Sequence, residues 1–211
     1  TLWPLLIKPR PIPLRRERWD TPDGDFIDVD HLDGPPASPL LVLFHGLEGS
    51  SRSHYAIATA HACRAIGWRL ALPHFRGCSG ELNRRPRAYH SGDSAEIDWI
   101  LRRLHQANEG RPLHVTGISL GGNALLKWAG EQGPAAAELV SGVAGICAPL
   151  DLAACGHHLA RGFNRVYTRH FLDTLKSRSA ARLQRFPGLF DATRMRHSRN
   201  LWDFDDAVTG P

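Results

Sequence analysis

The stretch Val115-Thr116-Gly117-Ile118-Ser119-Leu120-Gly121-Gly122-Asn123 decides the fold class of this chain. A strand-like apolar run precedes Ser119, and a helix-like run that includes residues 124–126 follows it. Glycine at positions 117 and 121 permits the close backbone packing of a sharp strand-to-helix turn. Such a turn holds a serine hydroxyl up into a cleft, where it can attack an acyl carbon. The stretch therefore predicts Ser119 as a catalytic nucleophile supported by Gly117 and Gly121.

The segments around this stretch alternate between strand and helix patterns. Two strand-like runs flank the turn residues Pro22-Asp23-Gly24 and predict a β-hairpin. Further strands are predicted at residues 40–44, 68–72, 113–118 and 142–147. Helices are predicted between them, at residues 55–66, 93–104 and 120–131. This order predicts an α/β fold with a mostly parallel sheet and helices on both faces. It favours a catalytic Ser119 over a glycine-rich turn with an incidental serine.

Residues 150–211 end the alternation. They contain no continuous β-branched run, and two helices are predicted there, one around Phe163 to Phe171 and one around Ala180 to Leu183. We therefore divide the chain into a core at residues 1–149, with an N-terminal arm and the hairpin, and a helical lid or cap at residues 150–211.

A second loop provides candidate partners for Ser119. His45-Gly46-Leu47 follows the strand predicted at residues 40–44. In hydrolases with a nucleophile of this type, such a loop donates one backbone N–H to the developing oxyanion, and the residue after the serine donates the other. Leu47 and Leu120 are the predicted donors, and Gly46 allows the backbone to approach the substrate. His45 is interpreted as a buried, hydrogen-bonded structural side chain rather than a base.

Composition excludes several other classes. The 211 residues carry a net charge of +5, but the basic residues are scattered without a block of five like charges, so no nucleic-acid partner is predicted. The 12 histidines form no metal-binding spacing, and neither a metal nor another cofactor is predicted. The four cysteines form no C-x-x-C pair, which favours reduced thiols in a cytoplasmic protein. No apolar run is long enough for a transmembrane helix. The oligomeric state is left open.

Six motifs together resemble the YheT-like branch of the α/β-hydrolases, and they occur in the family's order across nearly the whole chain. They are Thr1-Leu2-Trp3-Pro4, His45-Gly46-Leu47-Glu48-Gly49-Ser50, His74-Phe75-Arg76-Gly77-Cys78-Ser79-Gly80-Glu81, His90-Ser91-Gly92-Asp93, Gly117-Ile118-Ser119-Leu120-Gly121-Gly122-Asn123 and Phe204-Asp205-Asp206.

The resemblance implies a serine hydrolase acting on small-molecule or lipid esters through an acyl-enzyme. It makes Ser119 the nucleophile and the segment after Pro149 the lid. The family's acid and histidine lie beyond its lid, after two further strands, so the resemblance implies that they lie beyond Pro211. We therefore expect weak or absent turnover from these residues alone. The alternative is a non-catalytic relative that binds a ligand or partner.

Four smaller expectations concern three sets of side chains and one strand. Asp151 is interpreted as a hinge or helix cap, with a catalytic acid as the alternative. Arg76 is expected to anchor carbonyls or a carboxylate within a tight turn. Asp93 and Glu96 predict a capping box at the start of a helix. The strand at residues 142–147 is expected to be an exposed sheet edge.

Overall fold

A computed structural model describes residues 10–208 of the chain. Its six strands are β1 Arg15–Asp20, β2 Phe26–Leu32, β3 Leu40–Phe44, β4 Arg69–Pro73, β5 Leu113–Ile118 and β6 Gly142–Ile146. Its α-helices are α1 His54–Ala65, α2 Ser94–Ala107, α3 Leu120–Gln132, α4 Ala136–Leu139, α5 Leu152–Leu159, α6 Arg165–Arg185, α7 Ala192–His197 and α8 Leu201–Val208. Short 3-10 turns precede α4 and α6, at Gly133–Ala135 and Gly162–Asn164. The helical turn predicted near the N-terminus lies outside the described residues.

The strands form one sheet in the order β1-β2-β4-β3-β5-β6. The hairpin strands β1 and β2 are antiparallel, and β2 joins β4 in the same sense. From β4 through β3 and β5 to β6 every pairing is parallel. The predicted α/β fold with a mostly parallel sheet is therefore confirmed. Phe44 pairs with Gly117, so the loops that follow β3 and β5 emerge side by side at one edge of the sheet.

Apolar clusters cover both faces of the sheet. On one face, α2 contributes the predicted stripe at positions 97, 100, 101 and 104, and α3 contributes Leu125 and Trp128, all of them buried. On the other face, α1 packs Ala56, Ala60 and Cys63 against the sheet. Because each helix buries one side against the strands, helices cover both faces of the parallel sheet at its centre. This rigid platform fixes the directions of the loops that leave β3 and β5.

The predicted capping box at the start of α2 was wrong, although the helix begins directly after Asp93 as expected. Asp93 occupies the position before the helix, but its side chain caps no backbone N–H. Both carboxylate oxygens instead accept from Arg87 Nη2, at 2.6 and 2.8 Å. Glu96 is buried and accepts from Arg76 Nε at 2.6 Å. The nearby guanidinium groups offer charge-assisted hydrogen bonds, which are stronger than those of a neutral backbone cap.

Helices α5 to α8 follow β6 and return no strand to the sheet within the described residues. The two helices predicted near Phe163 and Ala180 are a single helix, α6, which is the correction that the structure makes here. A separate small cluster holds the segment together, formed by Leu172, Phe190, Met195, Phe204 and Ala207. The division at residue 149 into core and lid stays a prediction.

Strand β6 lies at the end of the sheet, paired only with β5 among the described strands. Ala144 to Ile146 are exposed, and Ile146 retains 49% of its accessible surface. The expected apolar edge is therefore present in residues 10–208.

Candidate active site

Ser119 lies in a strained turn between β5 and α3. Its backbone has φ 52° and ψ −118°, in a region that residues other than glycine rarely adopt. Such a conformation costs on the order of 1–3 kcal/mol and persists only when its surroundings impose it. Here the Ser119 N–H donates to the Ile146 carbonyl at 2.9 Å, and the Ser119 carbonyl accepts from the Asn123 N–H at 2.9 Å. The turn is thus fixed from both sides.

The two predicted glycines explain how the turn packs so closely. A Cβ on Gly117 would lie 2.5 Å from the Gly121 carbonyl oxygen. A Cβ on Gly121 would lie 2.4 Å from the His45 oxygen and 2.6 Å from the Phe44 oxygen. These are backbone atoms, which cannot move away as a side chain could. Helix α3 can therefore start against β3 only because position 121 has no side chain.

The loop after β3 lies directly against this turn. A Cβ on Gly46 would be 3.3 Å from the Ser119 Cβ. The Gly49 N–H donates to the Gly46 carbonyl at 2.9 Å, closing a tight turn whose central residues are Leu47 and Glu48. Glu48 has φ 56°. Within residues 10–208, neither the Leu47 N–H nor the Leu120 N–H donates to a backbone carbonyl. The role of these two groups as oxyanion donors stays a prediction.

His45 is fully buried beneath this loop. Its Nδ1 lies 2.8 Å from the Gly46 carbonyl, and its Nε2 accepts from the Phe75 N–H at 3.1 Å. The two contacts are both satisfied by a neutral ring that carries its proton on Nδ1. Burial lowers the pKa of His45 to about 3, and this effect exceeds the hydrogen bond to Gly46. These are the contacts of a structural side chain, as the sequence suggested.

Two tyrosines hold the same loop, and the sequence analysis did not assign them a role. Tyr55 Oη accepts from the Gly46 N–H at 2.9 Å. Tyr89 Oη accepts from the Glu48 N–H at 3.0 Å and donates to Glu48 Oε1 at 3.0 Å. Tyr89 also stacks on Phe75, with ring centroids 5.2 Å apart. A motif search could not find them, because each acts through a single hydroxyl outside the loop motif. Tyr55 lies nine residues after Gly46, and Tyr89 lies 41 residues after Glu48.

Ser119, Leu47 and Leu120 all line one cleft of about 530 Å³. Its other wall is formed by α5, α6 and α8, with apolar side chains that include Leu152, Leu159, Phe171, Leu175 and Val208. His90 lines the cleft, but its Nδ1 accepts from the Gly92 N–H at 3.2 Å. No imidazole of the described residues is hydrogen bonded to the Ser119 hydroxyl.

Asp151 has the contacts of a helix cap. Its carboxylate accepts from the Ala154 N–H at 2.8 Å, at the start of α5. Just before it, the Pro149 carbonyl accepts from Asn123 Nδ2 at 2.7 Å. The side chain of Asn123 therefore ties α3 to the segment that leads into the helical wall.

The charges around the cleft are mostly paired. The Arg76 guanidinium is buried and reaches three carboxylates, those of Asp23, Asp25 and Glu96, at 2.6 to 3.0 Å. The expectation that Arg76 anchors a carboxylate is confirmed. From the opposite wall, Arg178 Nε lies 3.1 Å from Glu48 Oε2. Arg182 has no carboxylate partner in residues 10–208 and donates to the Pro86 carbonyl, and burial lowers its pKa.

A comparison with known protein families decides the classification. The profile of the family described as "alpha/beta hydrolase fold" matches residues 39–203. The chain belongs to this α/β-hydrolase family. The prediction that the chain is a member of the α/β-hydrolases is therefore confirmed.

Two relatives define the branch. "Putative esterase YheT" of Escherichia coli (strain K12) is 39% identical over 201 residues, covering 92% of this chain and 58% of that protein. The "Phospholipase ABHD3" of Mus musculus is 24% identical over 217 residues, covering 99% of this chain and 52% of that protein. The resemblance to the YheT-like branch is thereby confirmed. The chain spans about half the length of the curated relatives it matches.

Solved structures share the fold at low sequence identity. The Pyrococcus furiosus esterase Pf2001 superimposes with a TM-score of 0.55 at 16% identity, covering 77% of this chain and 60% of that one. The alpha/beta hydrolase domain-containing protein 10 from mouse gives a TM-score of 0.54 at 18% identity, with 76% and 58% covered. These likenesses carry the fold and no further property.

Proposed function

We propose that the whole protein is a serine hydrolase of carboxylic esters in which Ser119 is the nucleophile. The observation that carries this proposal is the backbone of Ser119, held at φ 52° between two close-packed glycines at the floor of a cleft. Strain of this kind clusters at active sites, where the surrounding structure holds it, and it therefore supports a functional role for Ser119. Here it presents the hydroxyl toward the cleft at the end of a buried strand.

The proposed reaction proceeds in two steps. Ser119 Oγ attacks the ester carbonyl, a base takes its proton, and the tetrahedral oxyanion is stabilised by the N–H groups of Leu47 and Leu120. The intermediate collapses to an acyl-enzyme and releases the alcohol. Water then attacks the acyl-enzyme, which releases the acid and restores the serine. The proposal assigns the roles of base and acid to residues of the whole protein other than those described.

The cleft supports an apolar acyl group as the substrate's reacting half. Aliphatic and aromatic side chains line its helical wall, which suits a short or medium acyl chain or a lipid ester. The phospholipase name of the mouse relative points in the same direction. In this proposal residues 150–211 act as the lid over the acyl chain. No helix within residues 10–208 has both the length and the apolarity to cross a bilayer, and the cytoplasmic location stays a prediction.

Hydrolysis of p-nitrophenyl butyrate tests the proposal. In the whole protein, Ser119→Ala should lower kcat by at least about 10³-fold, because the nucleophile is lost while the fold is kept. Ser91→Ala, a change at another serine that lines the cleft, is the matched control. Equal rates for wild type and Ser119→Ala would refute the proposed function. Residues 1–211 alone should hydrolyse the ester weakly or not at all, because no described imidazole activates Ser119.

A non-catalytic binding protein is the second candidate. The absence of a hydrogen-bonded imidazole at Ser119 in residues 10–208 favours it. A ligand would then bind in the same cleft without acyl transfer. Binding of a fluorescent fatty acid that is unchanged by Ser119→Ala, together with no ester turnover by the whole protein, would support this candidate over the hydrolase.

A further inference from the structure

Glu48 holds an unusual place in the loop beside Ser119. Its side chain is only 6% exposed, and its backbone φ is 56°, a value that residues other than glycine rarely adopt. It is the third residue of the turn that the Gly49 N–H closes onto the Gly46 carbonyl. A glutamate in this conformation needs contacts that hold it there, since its preferred backbone angles lie elsewhere.

Two groups supply those contacts. Tyr89 Oη accepts from the Glu48 N–H and donates to Glu48 Oε1, each at 3.0 Å. Arg178 approaches the same carboxylate, with its Nε 3.1 Å from Oε2 and its Nη1 3.4 Å from Oε1. Tyr89 belongs to the core and is packed on Phe75. Arg178 belongs to α6, on the opposite wall of the cleft.

Arg178 is bound on the core side by a second group. Its Nη1 also donates to the Cys78 sulfur at 2.9 Å. Cys78 is buried, and burial raises its pKa to about 11. Burial lowers the pKa of Arg178, but Cys78 and Glu48 outweigh that effect and raise it overall. The charged guanidinium therefore fits between the carboxylate and the sulfur, under the helix that carries it.

We propose that Arg178 is a positioning residue which, through Glu48, fixes the turn that aims the Leu47 N–H at the oxyanion. The inference rests on the proposed function, since it assigns a cause to the placement of one proposed donor. When α6 lies on the core, the Arg178 guanidinium holds Glu48 at its positive φ. When α6 moves away, the backbone of Glu48 leaves its positive φ, and the Leu47 N–H no longer points at the oxyanion position. The oxyanion site is thus complete only while the cleft is covered.

A salt bridge that only adds stability would behave differently. A misplaced oxyanion donor weakens binding of the transition state and leaves binding of the ground state unchanged. Loss of Arg178 should therefore lower kcat with little change in KM. An arginine that bound the substrate directly would raise KM instead.

The test uses Arg178→Met, which keeps much of the side-chain length and removes the charge, in the whole protein. Arg178→Lys keeps the positive charge but loses the several N–H donors of the guanidinium. Arg169→Met, the control, changes an exposed arginine on the same helix. We expect kcat for p-nitrophenyl butyrate to fall about tenfold in Arg178→Met with KM within twofold. Arg178→Lys should recover part of the loss, and Arg169→Met should match wild type. Glu48→Gln provides the same comparison with a smaller change in packing.

A kcat within twofold of wild type in both Arg178→Met and Glu48→Gln would overturn the proposal. So would a loss confined to KM, or an equal loss in Arg169→Met. A second readout needs no hydrolysis: the hydrogen–deuterium exchange of the backbone amides in residues 46–50, followed by peptide mass spectrometry. It should be at least fivefold faster in Arg178→Met, and unchanged exchange would count against the contact. If Ser119→Ala retains activity, the proposed function fails, while the exchange in residues 46–50 still reports whether Arg178 holds the loop.

Discussion

The two walls of the cleft are built in different ways. The sheet-side wall is packed backbone against backbone, and Gly121 leaves no room for a single added carbon. The helical wall, α5 to α8, encloses a cluster of five buried side chains and leaves Phe163 and Trp202 exposed at 77% and 62%. Its arginines 178, 182 and 185 contact the sheet side through polar groups. In the proposed function, the sheet-side wall holds the nucleophile in place and the helical wall opens.

The contrast between the sheet-side wall and the helical wall bears on which parts of the cleft can move during a reaction. A nucleophile that shifts by an ångström loses much of its rate, so its turn must be rigid. In the proposed function the helical wall is a lid that must release product, so its attachment must be weaker than the core. Guanidinium contacts suit that task, because water can replace them when the helices move away.

The largest effect should come from filling the space at Gly121. Its Cβ would lie 2.4 Å from a backbone oxygen, so Gly121→Ala must displace β3 or α3. We expect the free energy of unfolding to fall by about 3 kcal/mol or more in urea titrations. Gly130→Ala is the control on the same helix, with open space around its Cβ, and should raise stability by up to about 1 kcal/mol. Similar urea midpoints for Gly121→Ala and Gly130→Ala would contradict the close packing described for the sheet-side wall.

A matched pair of leucines compares the walls directly. Leu125 is fully buried in the core, and Leu172 is 6% exposed in the helical cluster. Leu125→Ala should lower the free energy of unfolding by about 3 kcal/mol. Leu172→Ala should shift the global midpoint less and should speed hydrogen exchange mainly in residues 165–208. Equal loss of global stability in both variants would show one cooperative unit instead of a separable wall.

His45 gives the sheet-side wall a pH dependence. Its pKa is about 3 when folded, against about 6.5 for an unperturbed histidine. Between these two pH values the unfolded chain is protonated at His45 and the folded chain is not. Stability from this group is complete above pH 6.5 and falls as the pH drops, by up to about 1.4 kcal/mol per pH unit. Urea titrations from pH 7 to 5 should show a smaller slope in His45→Gln, with the remainder including His31, whose pKa burial also lowers. His170→Gln, at an exposed position, should keep the wild-type slope, and an unchanged slope in His45→Gln would contradict this origin.

The smallest expected effect concerns the link between the walls. Asn123→Ala removes the donor to the Pro149 carbonyl and should cost about 1 kcal/mol. Hydrogen exchange in residues 150–160 should become faster, while core amides keep their protection. Asn164→Ala, which removes a longer 3.5 Å contact at an exposed position, is the control. Faster exchange across the whole core would show that this hydrogen bond supports more than residues 150–160.

Local patterns were enough to predict the sheet-side wall. The glycines at 117 and 121 and the apolar run before Ser119 lie within ten residues, and the stripe at 97 to 104 follows helical spacing directly. The hairpin, the alternation of strands and helices along the chain and the buried stripe of α2 followed from the same short-range rules. These features are local because a turn and an amphipathic helix are properties of neighbouring residues.

The contacts between the walls could not be predicted in this way. Arg178 and Glu48 are 130 residues apart, and neither carries a signal that names the other. The capping prediction at Asp93 was wrong because Arg87 and Arg76 compete for the carboxylates of Asp93 and Glu96. The two short helices predicted within residues 150–211 are one, because the polar side chains between them are compatible with a continuous helix.

Covalent labelling of Ser119 tests the central claim most directly. The whole protein would be treated with a fluorophosphonate probe and digested, and the peptide that carries residues 117–123 analysed by mass spectrometry. We predict one adduct on Ser119, absent in Ser119→Ala and slowed about tenfold in Arg178→Met. An unlabelled Ser119 in a protein that still hydrolyses esters, or an adduct at another serine, would contradict the account.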